Sequence, residues 1–368
     1  MSLIAGLDVV DKKASVVQAV VSKGVTADMD ELHRVVVAVD IGGTKIASAL
    51  VEVNESKPVI LPDTQHSIPT QAAQGGEHVL NRIAQEVRTL CDRAHSWPNG
   101  ELAVVGLAVA SPGCVDSSGR IVSATDILPG WTGLALKSRL EQLSGLRVYV
   151  LGDALAHTFG EVRWGAAQGY DSALLVAIGT GIGGGVSIDG KLLHGSHSAG
   201  GHVGHIGHPA AADVVCSCGH RGHIEPLASG PGLEHVYVQL GGAPAEKPCD
   251  GAQIAARARQ GDPLARQALE QVGQYLGSAL GNLANVLDPA VIVLSGSVAQ
   301  AGTLWLKAVR EGYAEQAIVP VASTQLVLGD LGDDAPLIGA AEAFLEGFGM
   351  CGRARGVWID ADDDRRIP

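Results

Sequence analysis

The sequence predicts an α/β fold with a repeated core. Apolar segments of strand character alternate along the chain with segments of helical period, which is typical of α/β proteins. Two strands are each followed by a glycine-rich turn and a second strand, and these two units lie about 138 residues apart. Because the two units share one layout, we expect a duplicated domain core.

The elements of the first unit follow from its hydrophobic pattern. A strand is predicted over Arg34 to Val39, and the Gly42-Gly43 pair forces a turn before a second strand over Ile46 to Val53. The other predicted elements before Asp153 are a helix at 76–94, a strand at 103–110, a helix at 134–143 and a strand at 147–151.

The second unit begins with a helix predicted over Asp153 to Trp164. Strands follow over Ala173 to Ile178 and Val186 to Ile188, with the glycine turn between them. The later predicted elements are helices at 252–259, 263–287, 301–316 and 336–347 and a strand at 290–294. The segment between Leu193 and Glu225 has no regular period and is expected to be irregular.

Composition excludes several classes of protein. The 368 residues, 46% of them hydrophobic, suffice for two domains or one large one with a sizeable core. The net charge of -13 opposes nucleic-acid binding, but phosphate can be held by backbone N–H groups. No stretch is long and apolar enough for a membrane span, and no export signal is visible. We therefore expect a cytoplasmic protein with reduced cysteines.

Glycine-rich turns are candidate phosphate sites. In the run Asp40-Ile-Gly-Gly-Thr-Lys45, glycines let the backbone approach oxygen atoms, Thr44 offers a hydroxyl and Asp40 can hold hydrated Mg²⁺. The run Gly179-Thr-Gly-Ile-Gly-Gly-Gly185 can form a concave anion-binding nest, although it matches neither the Walker nor the Rossmann pattern. Plain tight turns are the alternative for both. A third, weaker candidate surrounds Gly296, where a purine ring could lie against backbone.

Asp153 is a candidate general base. Gly152-Asp153 follows an apolar strand and opens a helix, which is where open α/β sheets bind ligands. There the carboxylate could accept a proton from a hydroxyl that attacks Mg-ATP. A structural N-cap aspartate is the alternative.

Histidine and cysteine cluster in the irregular segment. Cys216, Cys218 and His223, with His205 eleven residues before the first cysteine, offer the mixture of nitrogen and sulfur ligands that tetrahedral Zn²⁺ favours. Other histidines leave the fourth ligand open, namely His202, His208 and His220. Four protein ligands would make the zinc structural.

Taken together, the motifs resemble the ROK (repressor, ORF, kinase) family. The resemblance rests on Asp40 to Lys45, Leu107 to Asp116, Gly179 to Gly185, Gly204-His205 and Cys216 to Glu225, in order from about residue 34 to 347. It implies an actin-like ATPase (ribonuclease H-like) fold with two lobes and a central cleft. It also implies ATP-dependent phosphorylation of a hexose or N-acetylhexosamine, at the 6-hydroxyl in most members.

The resemblance also implies lobe boundaries and residue roles. The small lobe would comprise residues 34–152 and 335–350, and the large lobe 153–334, with an extension at 1–33 and a tail at 351–368. Asp153 falls on the catalytic base. Phosphate and nucleotide contacts fall on Asp40, Gly42, Gly43, Thr44, Lys45, Gly179, Thr180, Gly181 and Gly296. Sugar contacts fall on Gly113, Asp126, Gly152, Asp153, His202, His205 and Glu225.

Four positions depart from the family pattern. Gly152 replaces an asparagine, His202 a glutamate, Ile127 an asparagine beside Asp126, and His223 a zinc-site cysteine. The last change preserves zinc chemistry. The other three remove hydrogen bonds to sugar, which could lower affinity for an ordinary glucose pose about 100-fold. We therefore favour an N-acetylated hexosamine of the N-acetylmannosamine type, with glucose as the alternative.

Two rival functions remain open at this stage. A non-catalytic sugar sensor would keep the fold and zinc site but not the productive sugar geometry. A transcriptional regulator of the same family would need a DNA-binding domain, for which about 33 residues before the first strand are too few. The resemblance suggests a homodimer or homotetramer, with a small-molecule sugar as the only other partner.

Overall fold

The computed structural model describes residues 33–53, 57–98, 100–125, 128–243 and 251–350. The strands are β1 Arg34–Ile41, β2 Lys45–Glu52, β3 Val59–Ile60, β4 His66–Pro69, β5 Ala103–Ser111, β6 Cys114–Val115, β7 Ile121–Ser123, β8 Val148–Gly152, β9 Ser172–Ile178, β10 Ile182–Ile188, β11 Lys191–Leu192, β12 Val291–Ser295 and β13 Gln325–Leu328. The helices are α1 Gly76–His95, α2 Leu136–Ser144, α3 Asp153–Trp164, α4 Glu225–Ala228, α5 Gly230–Gln239, α6 Ala252–Arg259, α7 Pro263–Leu287, α8 Thr303–Gln316 and α9 Ala335–Gly347.

Two sheets share one strand order. The first runs β3-β2-β1-β5-β8, with β4 also paired to β2, and the second runs β11-β10-β9-β12-β13. In each sheet a glycine hairpin forms an antiparallel pair, β1 with β2 and β9 with β10. A third strand pairs in parallel with the first strand of that hairpin, β5 with β1 and β12 with β9. A fourth strand pairs in parallel with the third, β8 with β5 and β13 with β12. The predicted repeat is therefore confirmed in strand order and pairing sense.

Helices cover both faces of the first sheet, which explains why β1 is a continuous apolar run. Val35, Val37 and Val39 pack in one core with residues of α1 and α2. Val36 and Ala38 point to the other face and pack in a second core with residues of α3 and α9. The second sheet has a larger core on one side, built with α5 to α8.

Glycines allow α3 and α9 to cross closely. A Cβ on Gly339 would overlap the carbonyl oxygen of Ala156, and a Cβ on Gly160 would overlap that of Ala335. Because α3 starts directly after β8, this crossing fixes the position of Asp153 at the end of the first sheet.

A buried carboxylate anchors the chain before α9. Glu161 is fully buried, and its oxygens accept hydrogen bonds from the backbone N–H groups of Ala166, Asp330 and Leu331. It thereby joins α3 to the segment that follows β13. In the described part of the chain, no helix combines the length and apolar character needed to cross a lipid bilayer.

Candidate functional site

A cleft with two adjoining cavities carries most of the predicted site. The larger cavity has a volume of about 680 Å³ and is lined from both sheets, by Asp40 and Gly113 on one side and by residues 179–183, the glycine turn and the start of β10, on the other. The predicted strand start at Val186 is wrong, because Ile182 to Gly185 already pair with β9 and the turn itself is short. The second has a volume of about 410 Å³. Both are lined by Asp40, His157, Ala177, Gly179 and Pro336. They are therefore two parts of one cleft. After the ligands that the family resemblance predicts for them, we name the larger the sugar-side cavity and the smaller the nucleotide-side cavity.

The structure brings most of the predicted phosphate contacts into this cleft. Gly42, Thr180 and Gly181 line the sugar-side cavity, Lys45 and Gly296 line the nucleotide-side cavity, and Asp40 and Gly179 line both. Gly43 and Thr44 lie at the exposed tip of the first turn. The end of β4 braces this turn, because the Thr70 hydroxyl donates to the Gly42 carbonyl at 2.7 Å. No motif in the sequence predicted this hydrogen bond.

Asp153 is the first residue of α3 and lies in the wall of the sugar-side cavity. Gly152 is the N-cap residue, so the N-cap alternative for Asp153 is wrong. The backbone N–H of Ala154 donates to Asp153 Oδ1 at 2.7 Å, which leaves Oδ2 for a ligand. Burial raises the pKa of Asp153 to about 6, against the opposing effect of the backbone hydrogen bonds. A carboxylate with this pKa can act as a base near neutral pH.

Asp40 at the carboxyl end of β1 is an under-compensated carboxylate. Burial raises its pKa to about 7, and the charges of Asp153 and Asp333 act in the same direction. Lys45 opposes this shift, but its Nζ also lies 3.2 Å from an Asp333 oxygen. Three carboxylates near one lysine make the site favourable for an added cation.

Sugar-contact candidates surround the same cavity. Gly113, Asp153, His202, His205 and Glu225 all line it. Gly152 instead lines a smaller neighbouring pocket of about 70 Å³, in the company of Gly113, Asp153 and His202. The prediction for Asp126, with the departure at Ile127, lies outside the described residues.

The ring of His202 is held at both nitrogens. Its Nδ1 lies 3.1 Å from the Ala199 carbonyl oxygen, and its Nε2 lies 3.5 Å from Cys114 Sγ. Because a carbonyl oxygen only accepts, Nδ1 carries the proton and Nε2 is the acceptor. A sugar hydroxyl can therefore reach this ring only by replacing one of these partners. Cys114 was not among the predicted site residues, and its contact with His202 spans 88 residues of sequence.

The predicted zinc ligands converge. One ligand atom from each of His205, Cys216, Cys218 and His223 lies within 4.8 Å of all the others. Cys216 Sγ is 3.5 Å from His205 Nδ1, and Cys218 Sγ is 3.2 Å from His223 Nδ1. These separations suit two ligands of one tetrahedral ion.

Two of the three alternative zinc ligands have other partners, and the third, His220, lies outside the ligand group with its ring centroid 6.1 Å from that of His223. His208 Nδ1 accepts the backbone N–H of Ala210, and its ring packs against Tyr275. His202 makes the contacts described above. Of the described histidines, His205 and His223 complete the group.

Glu225 connects the metal group to the glycine turn. One oxygen accepts the backbone N–H of Ile182 at 3.1 Å, and the other accepts the Ser217 hydroxyl at 2.6 Å. A Cβ on Gly181 would lie 2.7 Å from the same carboxylate. The metal group therefore helps to position the turn that faces the cleft.

The sequence predictions missed His157 and Ser295. His157 lies one helical turn after Asp153, and its Nε2 is 2.8 Å from Ser295 Oγ, the last residue of β12. The spacing of four residues from Asp153 could have placed His157 on the same helix face.

Two sheets of one strand order on either side of a cleft with glycine turns and buried carboxylates define an actin-like ATPase fold. The profile of the ROK family matches residues 36–346, and the chain belongs to this family. The predicted fold class and family resemblance are thus confirmed.

Known relatives include two kinds of sugar kinase. The chain is 31% identical over 317 residues to a glucokinase of Halalkalibacterium halodurans, covering 82% of this chain and 92% of the relative. It is 28% identical over 316 residues to an N-acetylmannosamine kinase of Haemophilus influenzae, covering 83% and 93%. A ROK family glucokinase of Streptomyces griseus, solved with glucose and AMPPNP, superimposes with a TM-score of 0.71 at 29% identity, covering 84% of this chain and 98% of that one.

Proposed function

We propose that this protein is an ATP-dependent sugar kinase that phosphorylates a hexose or N-acetylhexosamine at its 6-hydroxyl. The observation that carries the proposal is the position of Asp153, which lies in the wall of a cavity also lined by both phosphate turns. Membership of the ROK family and similarity to glucokinases and an N-acetylmannosamine kinase support it. A cytoplasmic location and a homodimeric or homotetrameric state remain predictions.

In this mechanism Asp153 takes the proton from the attacking hydroxyl. The Ala154 N–H holds Oδ1, so Oδ2 is the oxygen that receives the proton. The backbone of the 42–45 and 179–181 turns binds and orients the phosphates, while His205 and Glu225 orient the sugar. The reaction then depends mainly on positioning and on stabilisation of phosphate charge.

The donor set around Asp40 fits Mg²⁺. Carboxylate oxygens are preferred ligands of this ion, and Asp40 shares the charge of Lys45 with Asp333. Asp40 would hold hydrated Mg²⁺ beside the nucleotide. When bound, the ion would neutralise part of the phosphate charge.

The group of His205, Cys216, Cys218 and His223 fits structural Zn²⁺. Four protein ligands complete a tetrahedral shell and leave no position for a reactive water. Zinc there would fix the segment that carries His205 and Glu225.

We further propose an N-acetylated hexosamine as the preferred substrate. The pocket of about 70 Å³ beside Gly152 gives a substituent of acetyl size a place next to Asp153. Glucose is the second candidate, because the glucokinase of H. halodurans is slightly more similar to this chain than the N-acetylmannosamine kinase is.

The test is ADP release with Mg-ATP over N-acetylmannosamine, N-acetylglucosamine, glucose and mannose. We expect turnover that Asp153→Asn removes without changing zinc content or binding of an ATP analogue. Turnover by this variant would overturn the assignment of Asp153 as the base, and a clear preference for glucose would overturn the N-acetyl proposal.

Gly152→Asn should fill the small pocket and shift the sugar preference towards glucose. The side chain can be accommodated, since a Cβ there meets no described atom closer than 3.5 Å. Sugar binding without turnover would indicate a sensor.

A further inference from the structure

His157 lies at the junction of the two cavities, and the proposed mechanism gives it no role. Of the five residues that line both cavities, only Asp40 and His157 have polar side-chain atoms. A phosphoryl group that moves from the nucleotide side to the sugar side therefore passes a carboxylate and an imidazole. The carboxylate is suited to a cation, which leaves the imidazole to face the phosphate itself.

The imidazole is fixed in place by the nucleotide-side loop. His157 is 9% exposed, and its Nε2 lies 2.8 Å from Ser295 Oγ. Ser295 immediately precedes Gly296, which lines the nucleotide-side cavity. Among the described residues, Nδ1 has no hydrogen-bond partner, and it is not one of the buried atoms sealed from solvent. Nδ1 is therefore open to the cleft.

We propose that His157 donates a hydrogen bond from Nδ1–H to an oxygen of the nucleotide's terminal phosphates, while Nε2 accepts the Ser295 hydroxyl. The inference rests on the proposed function, since it places a phosphate chain in this cleft. A phosphate oxygen only accepts, so it selects the tautomer with the proton on Nδ1, and the serine hydroxyl, which can donate, then donates to Nε2. His157 is thus a phosphate-binding residue, and Ser295 positions it.

The charge state of the ring suits this role. Burial lowers the pKa of His157 to about 4, and only Asp333 acts against that shift. The ring is therefore neutral near pH 7 and offers one N–H donor. In the protein without nucleotide, a neutral N–H donor can stay buried without the desolvation cost of an unpaired charge. Its hydrogen bond strengthens once a phosphate anion arrives.

The first test reads the tautomer directly. Long-range ¹H–¹⁵N spectra of the zinc-loaded protein would be recorded with and without Mg²⁺ and a non-hydrolysable ATP analogue. We expect Nδ1 of His157 to carry the proton in the complex and its ¹⁵N shift to change on binding. Protonation of Nε2 in the complex would overturn the proposal. This experiment needs no turnover, so it remains informative if no sugar in the panel is phosphorylated.

The second test compares two variants whose side-chain amide nitrogen lies near the position of one of the two ring nitrogens. His157→Asn retains a donor near Nδ1, whereas His157→Gln retains one near Nε2. We expect His157→Gln to lower kcat/KM for ATP by about 10- to 100-fold, and His157→Asn by clearly less. The KM for sugar should change less than threefold in both. Equal activity of both variants and wild type would contradict the proposal, as would a loss confined to sugar KM.

A matched pair of serines separates positioning from packing. Ser295→Ala removes the hydroxyl bonded to His157. Ser187→Ala removes a buried hydroxyl on β10 of the same sheet, for which the described residues offer no hydrogen-bond partner. We expect only Ser295→Ala to shift the ¹⁵N resonance of His157 Nε2 and to lower the kcat/KM for ATP. An unchanged Nε2 resonance and an unchanged kcat/KM in Ser295→Ala would overturn the role of Ser295.

Discussion

At the scale of single residues, the cleft places two carboxylates of raised pKa beside each other. Asp40 has a pKa of about 7 and Asp153 of about 6, in both cases mainly because of burial. Motif reasoning selected both residues from their place after apolar strands. The motifs do not predict that Asp40 and Asp153 are neighbours, because the two residues are far apart in sequence. They come together through the pairing of β1, β5 and β8.

The raised pKa of Asp153 predicts the pH dependence of turnover. A general base works only when deprotonated, so kcat/KM for the sugar at saturating Mg-ATP should fall about tenfold per pH unit below about 6 and level off above it. The check is a pH profile from 5 to 9, with circular dichroism to confirm folding at each pH. A rate that stays constant between pH 5 and 7 would contradict the assignment.

Asp40→Asn should stabilise the protein free of metal and nucleotide. A folded-state pKa above the unfolded value of 3.8 means that ionisation opposes folding as pH rises from about 4 through about 7. The substitution removes that opposition, so the free energy of unfolding at pH 8 should rise by roughly 1–4 kcal/mol, with no gain below pH 4. Urea titration at several pH values measures it, and kinase activity should be lost.

The matched control is Asp116→Asn. Although partial burial acts the other way, hydrogen bonds from Ser118 and Arg120 lower the pKa of Asp116. Its carboxylate therefore favours folding above pH 4, and the variant should lose stability at pH 8. Stabilisation of both variants would show that burial of Asp40 is not the cause.

At the scale of elements, the metal group should control sugar binding more than nucleotide binding. Cys218→Ser removes one of four ligands, so we expect loss of bound zinc and a rise in sugar KM of about tenfold or more, with a smaller rise in ATP KM through the contact of Glu225 with the glycine turn. The reason is that the group holds Glu225 and His205 in the sugar-side cavity. Elemental analysis and steady-state kinetics measure these effects.

Cys91→Ala is the control, because this half-buried thiol on α1 is remote from the metal group. It should keep zinc and normal KM values. If zinc-free Cys218→Ser bound sugar as tightly as wild type does, the metal group would have no part in sugar binding.

The crossing of α3 and α9 should not tolerate a methyl group. Gly339→Ala forces a Cβ onto the Ala156 carbonyl, so the helices must separate and the free energy of unfolding should fall by about 1–3 kcal/mol. Turnover should fall as well, because α3 carries Asp153. Gly207→Ala, where a Cβ meets nothing within 4 Å, should stay within about 0.5 kcal/mol of wild type.

Prediction of elements succeeded where patterns were long. The helix expected at 263–287 is α7 with the same bounds, because Asp262 caps it by accepting the N–H groups of Leu264 and Ala265. The helix expected from 301 begins at Thr303, since residues 298–301 form a 3-10 turn. Two-residue strands such as β3, β6 and β11 were missed, because their pairing depends on tertiary neighbours rather than on local period.

At the scale of the whole molecule, sugar and nucleotide should bind cooperatively. Their two cavities share five wall residues drawn from both halves of the chain, so either ligand orders groups that the other also contacts. A non-hydrolysable ATP analogue with Mg²⁺ should therefore lower the Kd of the preferred sugar by about 5-fold or more. Calorimetry with the two ligands added in either order tests this. The change in Kd must be the same factor in both orders, because coupling between two binding sites is reciprocal.

The division into two halves was predictable because the unit of strand, glycine turn and strand occurs twice in the sequence. Two glycine hairpins implied two halves, and the strand orders agree with that. The cleft itself was accessible only through resemblance, since no local pattern states which strand ends face each other. The lobe boundaries at 152/153 and 334/335 remain predictions, and α3 packs with elements on both sides of them.

The shared strand order gives the protein an approximate internal symmetry with unequal outcomes. Strand β8 ends in Gly152 and is followed by Asp153, and its counterpart β13 is followed by Gly329-Asp330. Asp153 lies in the cleft wall, whereas Asp330 is exposed and contributes its backbone N–H to Glu161. The same dipeptide at equivalent strand ends thus serves chemistry in one half and anchorage in the other. Two sheets of the same strand order therefore carry one proposed reactive carboxylate, Asp153.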